Sequence, residues 1–490
     1  MLLLGLDIGT SSVKASVVDA VTKKVLVSVQ YPQNERLIKS LELGWAEQSP
    51  MQWWDDVKSV ITKANATKLY HPNDIGAIGI AYQMHGLVLI DKNQQVLRDA
   101  IIWCDSRAVE IGNKAFADIG QEECLTHLLN SPGNFTASKL AWVKHNEPLT
   151  YSRIDKVLLP GDYISSKLTG EITTTVTALS EGIFWDFKNN ELSKDIIEYF
   201  GFDKSFFPSV RNVFEEHGTL SSTVANELGL RSGITVNYKA GDQPNNALSL
   251  NVLNPGEVAA TAGTSGVIYA VGDQLSYDAA SRVNGFAHVN HGVETRIGTL
   301  LCINGCGSMN RLIKERFGKG LTYDEMNTAA RSITPGSNGL NILPFCNGAE
   351  RILKNKLIDI DLSFVNKHNA SEIFRATQEG IAYAFRYGLD IMRSNNIHPK
   401  VIKAGRANMF LSDVFTQVFA DVTDVPVEIY DCDGSVGAAI GAGIGKKIFS
   451  PKQAFENISP LQLIEPSQHD QYDALYYKWE RKLYKILNNN

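Results

Sequence analysis

The residues with the greatest chemical capacity lie in a few short stretches. In "GLDIGTSSVKA", Asp7 closes an apolar run and is followed by Gly9, Thr10, Ser11, Ser12 and Lys14. A glycine lets the backbone turn sharply, hydroxyl and amide groups can donate to a phosphate, and a carboxylate at a strand end can hold a metal ion through water. A polar hairpin turn without a ligand uses the same residue types. A second Gly-Thr-Ser, at Gly263, Thr264 and Ser265, adds weight, because two facing hairpins could clamp opposite sides of a polyphosphate. In "KAGDQPNNALS", Asp242 stands where an apolar run passes into a helical pattern. It reads as a helix N-cap with Pro244 in the first turn, and its carboxylate also raises the question of an active-site base.

The elements that must position these residues follow from periodicity. Residues 2–31 read as strand, Gly-Thr-Ser turn, strand, polar turn at Thr22 to Lys24, and strand, an antiparallel meander. Ser49 as N-cap and Pro50 in the first helical position open a helix through "MQWWDDVKSVITKANATKL". "IGAIGIAYQMHGLVLID" is a strand that breaks at Met84-His85-Gly86 and resumes. Residues 257–272 repeat strand, Gly-Thr-Ser turn and strand, and "HGVETRIGTLLCING" adds another strand. A long amphipathic stretch over 363–393 follows, and "VIKAGRANMFLSDVFTQVFADV" reads as strand, glycine turn and helix. Two halves opening on one theme suggest an internal duplication joined near Asp242, with a ligand between lobes touched by both. No GxxxxGK[ST] and no strand-GxGxxG-helix unit occurs, so the paired turns point to an actin-like nucleotide site.

At 490 residues the chain predicts two to four domains. A composition of 44% hydrophobic and 20% charged residues is that of a globular protein, and a net charge of -6 provides no basic field for nucleic acid. Six cysteines without a CxxC pair predict a reducing compartment. The opening apolar run has no basic residues before it and ends at Asp7, unlike a signal peptide, so a cytoplasmic location is expected. "VGAAIGAGIG" at 436–445 is far short of a membrane span and predicts a helix packed closely on a sheet. His288 with His291, and Cys302 with Cys306, lack the surroundings of a metal site.

"GLDIGTSSVKA", "YQMHGLVLID", "IIWCDSR", "NFTASKLAWV", "LLPGDYISSKLTGE", "AGDQPNNALS", "TAGTSG", "EIFRATQEGIAYAFR" and "ADVTDVPVEI" occur in order over nearly the whole chain. In these segments the sequence resembles the FGGY family of carbohydrate kinases. The resemblance implies an α/β fold of two actin-like, ribonuclease H-like lobes, each a mixed sheet flanked by helices, with a cleft between them. The N-terminal lobe, 1–244, would carry sugar binding and the phosphate hairpin. The C-terminal lobe, 245–490, would bind the adenine nucleotide and end in a helical segment. Met84-His85-Gly86 resembles the signature of the xylulokinase branch of the family.

The sugar contacts so implied are Gln83, Met84, His85, Gly86, Trp103, Asp105, Asp242 and Gln243, although Asp105 and Arg107 could equally form a local ion pair. Asn134 stands where glycerol kinases carry a tyrosine. The nucleotide contacts implied are Thr10, Ser11, Ser12, Lys14, Gly263, Thr264, Ser265, Asn310, Ala404, Gly405 and Asn408, with Lys403-Ala404 in place of the family's double glycine. ATP and Mg2+ are the implied cofactors, with Asp7 holding the metal through water. The expected reaction is phosphorylation of D-xylulose at O5 with Asp242 as general base. Another ketose, a polyol or gluconate is the alternative substrate, and an actin-like nucleotide-dependent binding or assembly protein is the alternative of another class. The expected partner is a small-molecule sugar, with neither nucleic acid nor membrane; a homodimer is left open.

Overall fold

A computed structural model describes residues 1–359, 363 and 367–489 and contains two main sheets. In the first, β1 (Leu2–Ile8), β2 (Val13–Asp19) and β3 (Val25–Tyr31) form the expected antiparallel meander. Strands β4 (Ile75–Tyr82) and β5 (Thr235–Gly241) add in parallel, giving the order β5-β4-β1-β2-β3. The second contains β6 (Glu257–Ala262), β7 (Gly266–Gly272), β8 (Asn284–Ala287), β9 (Ile297–Ile303), β10 (Val401–Gly405), β11 (Val427–Tyr430) and β12 (Gln462–Ile464). Its order is β8-β9-β7-β6-β10-β11-β12. Strands β6, β7, β9, β10 and β11 repeat the pairing directions of β1 to β5 one for one. The duplication suggested by the two Gly-Thr-Ser turns is therefore present as topology, with β8 and β12 added at the edges.

The helices that position the site are α1 (Pro50–Ala66), α2 (Thr136–Asn146), α3 (Val176–Glu181), α4 (Asp242–Ser249), α5 (Gly307–Phe317), α6 (Ala370–Ser394), α7 (Gly434–Gly445) and α8 (His469–Asn489). Strand β4 is buried along its whole length, as is expected of a central strand covered on both faces. Helix α1 covers one face of the first sheet with Trp53, Val57, Val60 and Ile61. Helix α6 is capped by Asn369, whose side chain accepts from the Glu372 amide, and lays its apolar face against the second sheet. Residues 364–366, part of the amphipathic stretch expected from 363, lie outside the described residues.

The glycine- and alanine-rich stretch becomes α7 and packs on a sheet as expected, but on the first sheet instead of that of its own half. A Cβ added at Gly5 would lie 1.8 Å from the Ser435 carbonyl oxygen, and one at Gly79 would lie 1.9 Å from that of Ala438. Helix and strands thus meet backbone to backbone. Leu248 of α4 joins the same layer, while Ala247 packs with Ala259, Tyr269 and Val271 of the second sheet. The expected division after residue 244 falls inside α4, which runs unbroken between the two sheets. Among the described residues no helix is long and apolar enough to cross a membrane.

Candidate active site

Both Gly-Thr-Ser turns are hairpin tips, between β1 and β2 and between β6 and β7. In the first, the Gly9 amide donates to the Ser12 carbonyl at 3.0 Å, and Ser11 and Ser12 are partly exposed. The Thr10 hydroxyl donates to Gln83 Oε1 at 3.2 Å and accepts from Trp103 Nε1 at 3.0 Å. Gln83 also donates to Gln48 Oε1 at 3.0 Å and is 2% exposed. Gln83 and Trp103, expected on the sugar, are therefore turned to the hairpin, because Thr10 offers hydrogen-bond capacity to both. Lys14 Nζ lies 3.1 Å from Asp433 Oδ2, the carboxylate that caps α7.

In the second turn the Gly263 and Thr264 carbonyls accept from the Gly307 and Ser308 amides at 2.8 and 3.1 Å, tying the tip to the start of α5. A cleft of about 360 Å³ opens there, lined by Gly263, Thr264, Asn310, Tyr323, Asn408 and Met409 among others. Ser265 is partly exposed beside it. Ala404 is fully buried inside β10, between Ala260 and Ile429, and does not line the cleft. The expectation for Ala404 is thus corrected, since its strand neighbours enclose its side chain. Lys403 is likewise held away, by the Asn251 carbonyl at 2.7 Å and Glu257 at 3.1 Å. Gly405 ends the strand next to Cys432, partly exposed.

Asp242 is the first residue of α4, not its N-cap; Gly241 occupies that position and contributes no side chain. Burial and the nearby Asp7 raise the Asp242 carboxyl to about 7, against the opposing pull of the Gln243 and Asp242 amides at the helix start. Asp7 is itself raised to about 6, by burial and by Asp433, with Lys14 acting the other way. Hard oxygen donors whose mutual repulsion a cation would relieve fit Mg2+. Among the described residues the oxygens of Asp7, Asp242 and Asp433 do not converge into one ligand cage, which fits a cation held largely through water and phosphate oxygens. The Gln243 Oε1 and Asn245 Oδ1 atoms are buried without a hydrogen-bond partner among the described residues, as polar atoms awaiting a ligand would be.

His85 has φ of 61°, a left-handed conformation that needs external support. Its amide donates to Glu181 Oε2 at 3.3 Å, and its carbonyl accepts from Lys139 Nζ at 3.0 Å and Thr136 Oγ1 at 3.2 Å. Its Nδ1 lies 2.8 Å from the Glu181 carbonyl oxygen and must donate to it, which leaves Nε2 as an acceptor. Burial, with Lys139 nearby, lowers the imidazole to about 3, so the ring is neutral. Phe135 and Phe286 pack around it at 4.9 and 5.4 Å between ring centroids. Met84 lies against Gly241, where an added Cβ would come within 2.6 Å of Met84 Cγ and 3.1 Å of Glu181 Oε2. Gly86 backs onto Pro160. His85, Met84, Glu181 and the start of α4 thus form one wall.

Asp105 is fully buried and takes no part in it. Its oxygens accept from Arg107, at 2.7 Å from Nη2, and from the Ala46 amide at 2.6 Å. The ion-pair alternative is the one observed, because a buried carboxylate needs that many donors. Asn134 Nδ2 donates to the Asp105 carbonyl, while its Oδ1 is buried without a partner among the described residues. His288 bonds the Tyr269 hydroxyl and the Val252 carbonyl, as a structural histidine does. Sequence reasoning missed Glu181, Lys139, Asp433 and Phe286. Glu181 and Lys139 carried a usable signal, each being a lone charge in a mostly apolar stretch.

Residues 2–249 match the model of the N-terminal domain of the FGGY family of carbohydrate kinases, and residues 258–445 match that of its C-terminal domain. The chain is 28% identical to the xylulose kinase of Escherichia coli, over 99% of either chain. It is 28% identical to that of Haemophilus influenzae, over 90% of this chain and 89% of the relative. The solved xylulose kinase of Rhodospirillum rubrum superposes with a TM-score of 0.88 at 24% identity, covering 100% of this chain and 99% of that one. That likeness shows the two-lobed, actin-like fold.

Proposed function

The chain belongs to the FGGY family of carbohydrate kinases, and from that premise we propose that it transfers the γ-phosphoryl group of ATP to O5 of D-xylulose. The products are ADP and D-xylulose 5-phosphate. One observation carries this reading: a neutral histidine whose acceptor nitrogen has no partner among the described residues shares a wall with Asp242, whose carboxyl is raised to about 7. The xylulose kinases among the relatives support the choice of sugar.

Phosphoryl transfer asks the protein mainly for positioning, charge neutralisation and a group to receive the hydroxyl proton. Asp242 takes that proton, its raised pKa making it a base of useful strength near neutral pH. His85 Nε2 accepts from a sugar hydroxyl, and Met84 supplies an adaptable apolar side. Thr10, Ser11, Ser12, Gly263, Thr264 and Ser265 donate to the phosphates, Lys14 balances charge beside Asp433, and Asn310, Gly405 and Asn408 receive the nucleoside end. Asp7 would hold Mg2+, which when bound would neutralise phosphate charge. Six cysteines with no disulfide among them support a cytoplasmic enzyme.

A coupled ADP-release assay over ketoses, polyols and aldonates tests the proposal. D-xylulose is expected to give the highest kcat/KM. A preference for another class would overturn the sugar, and ATP consumption indifferent to every sugar would favour a nucleotide-dependent binding protein instead.

A further inference from the structure

Arg351 opens a short turn, Arg351–Leu353, in the second half of the chain. The residue before it, Glu350, is 1% exposed and accepts from the Asn304 and Gly305 amides at 3.0 and 3.1 Å. Those two amides belong to the loop that leads into α5, the helix lining the nucleotide-sized cleft. The turn is therefore fastened to that cleft. From it, the Arg351 side chain reaches the first-half residue Phe135, with Cζ 5.9 Å from the ring centroid. Phe135 in turn packs edge-on to His85, and Phe286 of β8 closes the cluster at 6.0 Å from Phe135.

Among the described residues the guanidinium has no ion pair and no hydrogen bond. Burial pulls it below its usual value, against a smaller opposing pull from Cys302. The charges nearby are already spent. Lys139 donates to the His85 and Ile102 carbonyls. Glu181 accepts from the Tyr82 hydroxyl at 2.7 Å and from the His85 amide. Five planar donors partly withdrawn from water are costly to leave unfilled. A polyhydroxylated ligand offers several oxygen acceptors within reach of one such fork.

We propose that Arg351 binds the oxygen atoms of the sugar at the end away from Asp242, so that a sugar held by His85 is also gripped by the lobe that carries the nucleotide. The proposal rests on the sugar-kinase reading and adds a specificity residue to it from the other lobe.

Full-length Arg351→Gln and Arg351→Lys are compared with wild type in coupled ADP-release kinetics, varying D-xylulose and ATP in turn, with melting temperatures measured alongside. Losing charge-assisted hydrogen bonds should raise the KM for D-xylulose roughly 10- to 100-fold in Arg351→Gln. The KM for ATP should stay within about twofold, and Arg351→Lys, which keeps the charge without the fork, should recover only part of the loss. A sugar KM within about twofold of wild type in Arg351→Gln overturns the proposal. So does an equal loss for sugar and ATP with a lowered melting temperature in both variants. A wild type that ignores D-xylulose but accepts another sugar refutes the ketose reading alone; the same comparison is then made with that sugar and decides the role of Arg351 by the same ratio.

Discussion

Replacing Asp242 by asparagine should weaken the enzyme and strengthen the fold in a manner that depends on pH. The carboxyl, ordinarily at 3.8, is raised to about 7 in the folded chain by burial and by Asp7. A group whose folded pKa lies above its unfolded value favours folding while protonated, and that support is lost as pH rises through the folded value. At roughly 1.4 kcal/mol per pH unit, the mismatch disfavours the native state by at most about 4 kcal/mol well above pH 7, and by about 1.7 kcal/mol at pH 5, where the unfolded carboxyl is ionised and the folded one is not. Asp242 keeps some accessible surface on the cleft and shares its perturbation with Asp7, so solvent screening should halve the difference. An asparagine side chain cannot ionise. The variant should therefore gain about 1 to 2.5 kcal/mol more over wild type at pH 8 than at pH 5, read by denaturant or thermal unfolding of the cation-free protein. Turnover should fall by about 10²- to 10⁴-fold, the span of general-base catalysis, while calorimetry still detects ATP binding. A stability change equal at both pH values would refute the burial argument, and near-normal turnover with any accepted sugar would refute the base.

Three further outcomes follow from the geometry. His85→Ala should raise the sugar KM with little change for ATP, and the size of that effect should be constant from about pH 5 to 8 because the ring is already neutral; an effect that grows as pH falls would count against a neutral acceptor. Asp7→Asn removes the like charge beside Asp242, so the acid limb of the pH–rate profile should move to lower pH; an unmoved limb would separate the two carboxylates. Gly5→Ala drives a methyl group into the Ser435 carbonyl and should cost about 1 to 3 kcal/mol or more; an unchanged melting temperature would mean that α7 does not sit so tightly on β1.

The parts of the site visible from sequence are those on local turns. Gly9 to Ser12 and Gly263 to Ser265 announce themselves because a tight hairpin tip requires those residue types whatever surrounds it, and both tips stand where expected. Asp242 was legible as the residue where strand gives way to helix, though its place as first helical residue depends on how Gly241 leaves the strand. Gln83, Asp105 and Ala404 were misjudged for one reason. Proximity along the chain places a residue near a pocket but does not say which neighbour claims its side chain; Thr10, Arg107 and the strands flanking β10 do so here. Phe286 and Arg351 were invisible because the second half delivers them to a wall built by the first, and no spacing rule spans some 200 positions.

The placement of α7 on the first sheet bears on how the chain is made. Synthesis runs from the amino end, yet one face of β1, β4 and β5 receives its covering helix only from residues 434–445. That sheet must therefore wait, one apolar flank bare, until residues 434–445 have emerged. Its neighbour β6–β7 has Ala247 of α4 in place from the outset. The first sheet is thus completed by a helix that belongs to the second half of the chain. Ribosome-bound chains arrested before residue 434 should show it as a protease-sensitive amino-terminal sheet that becomes resistant once α7 is free of the exit tunnel.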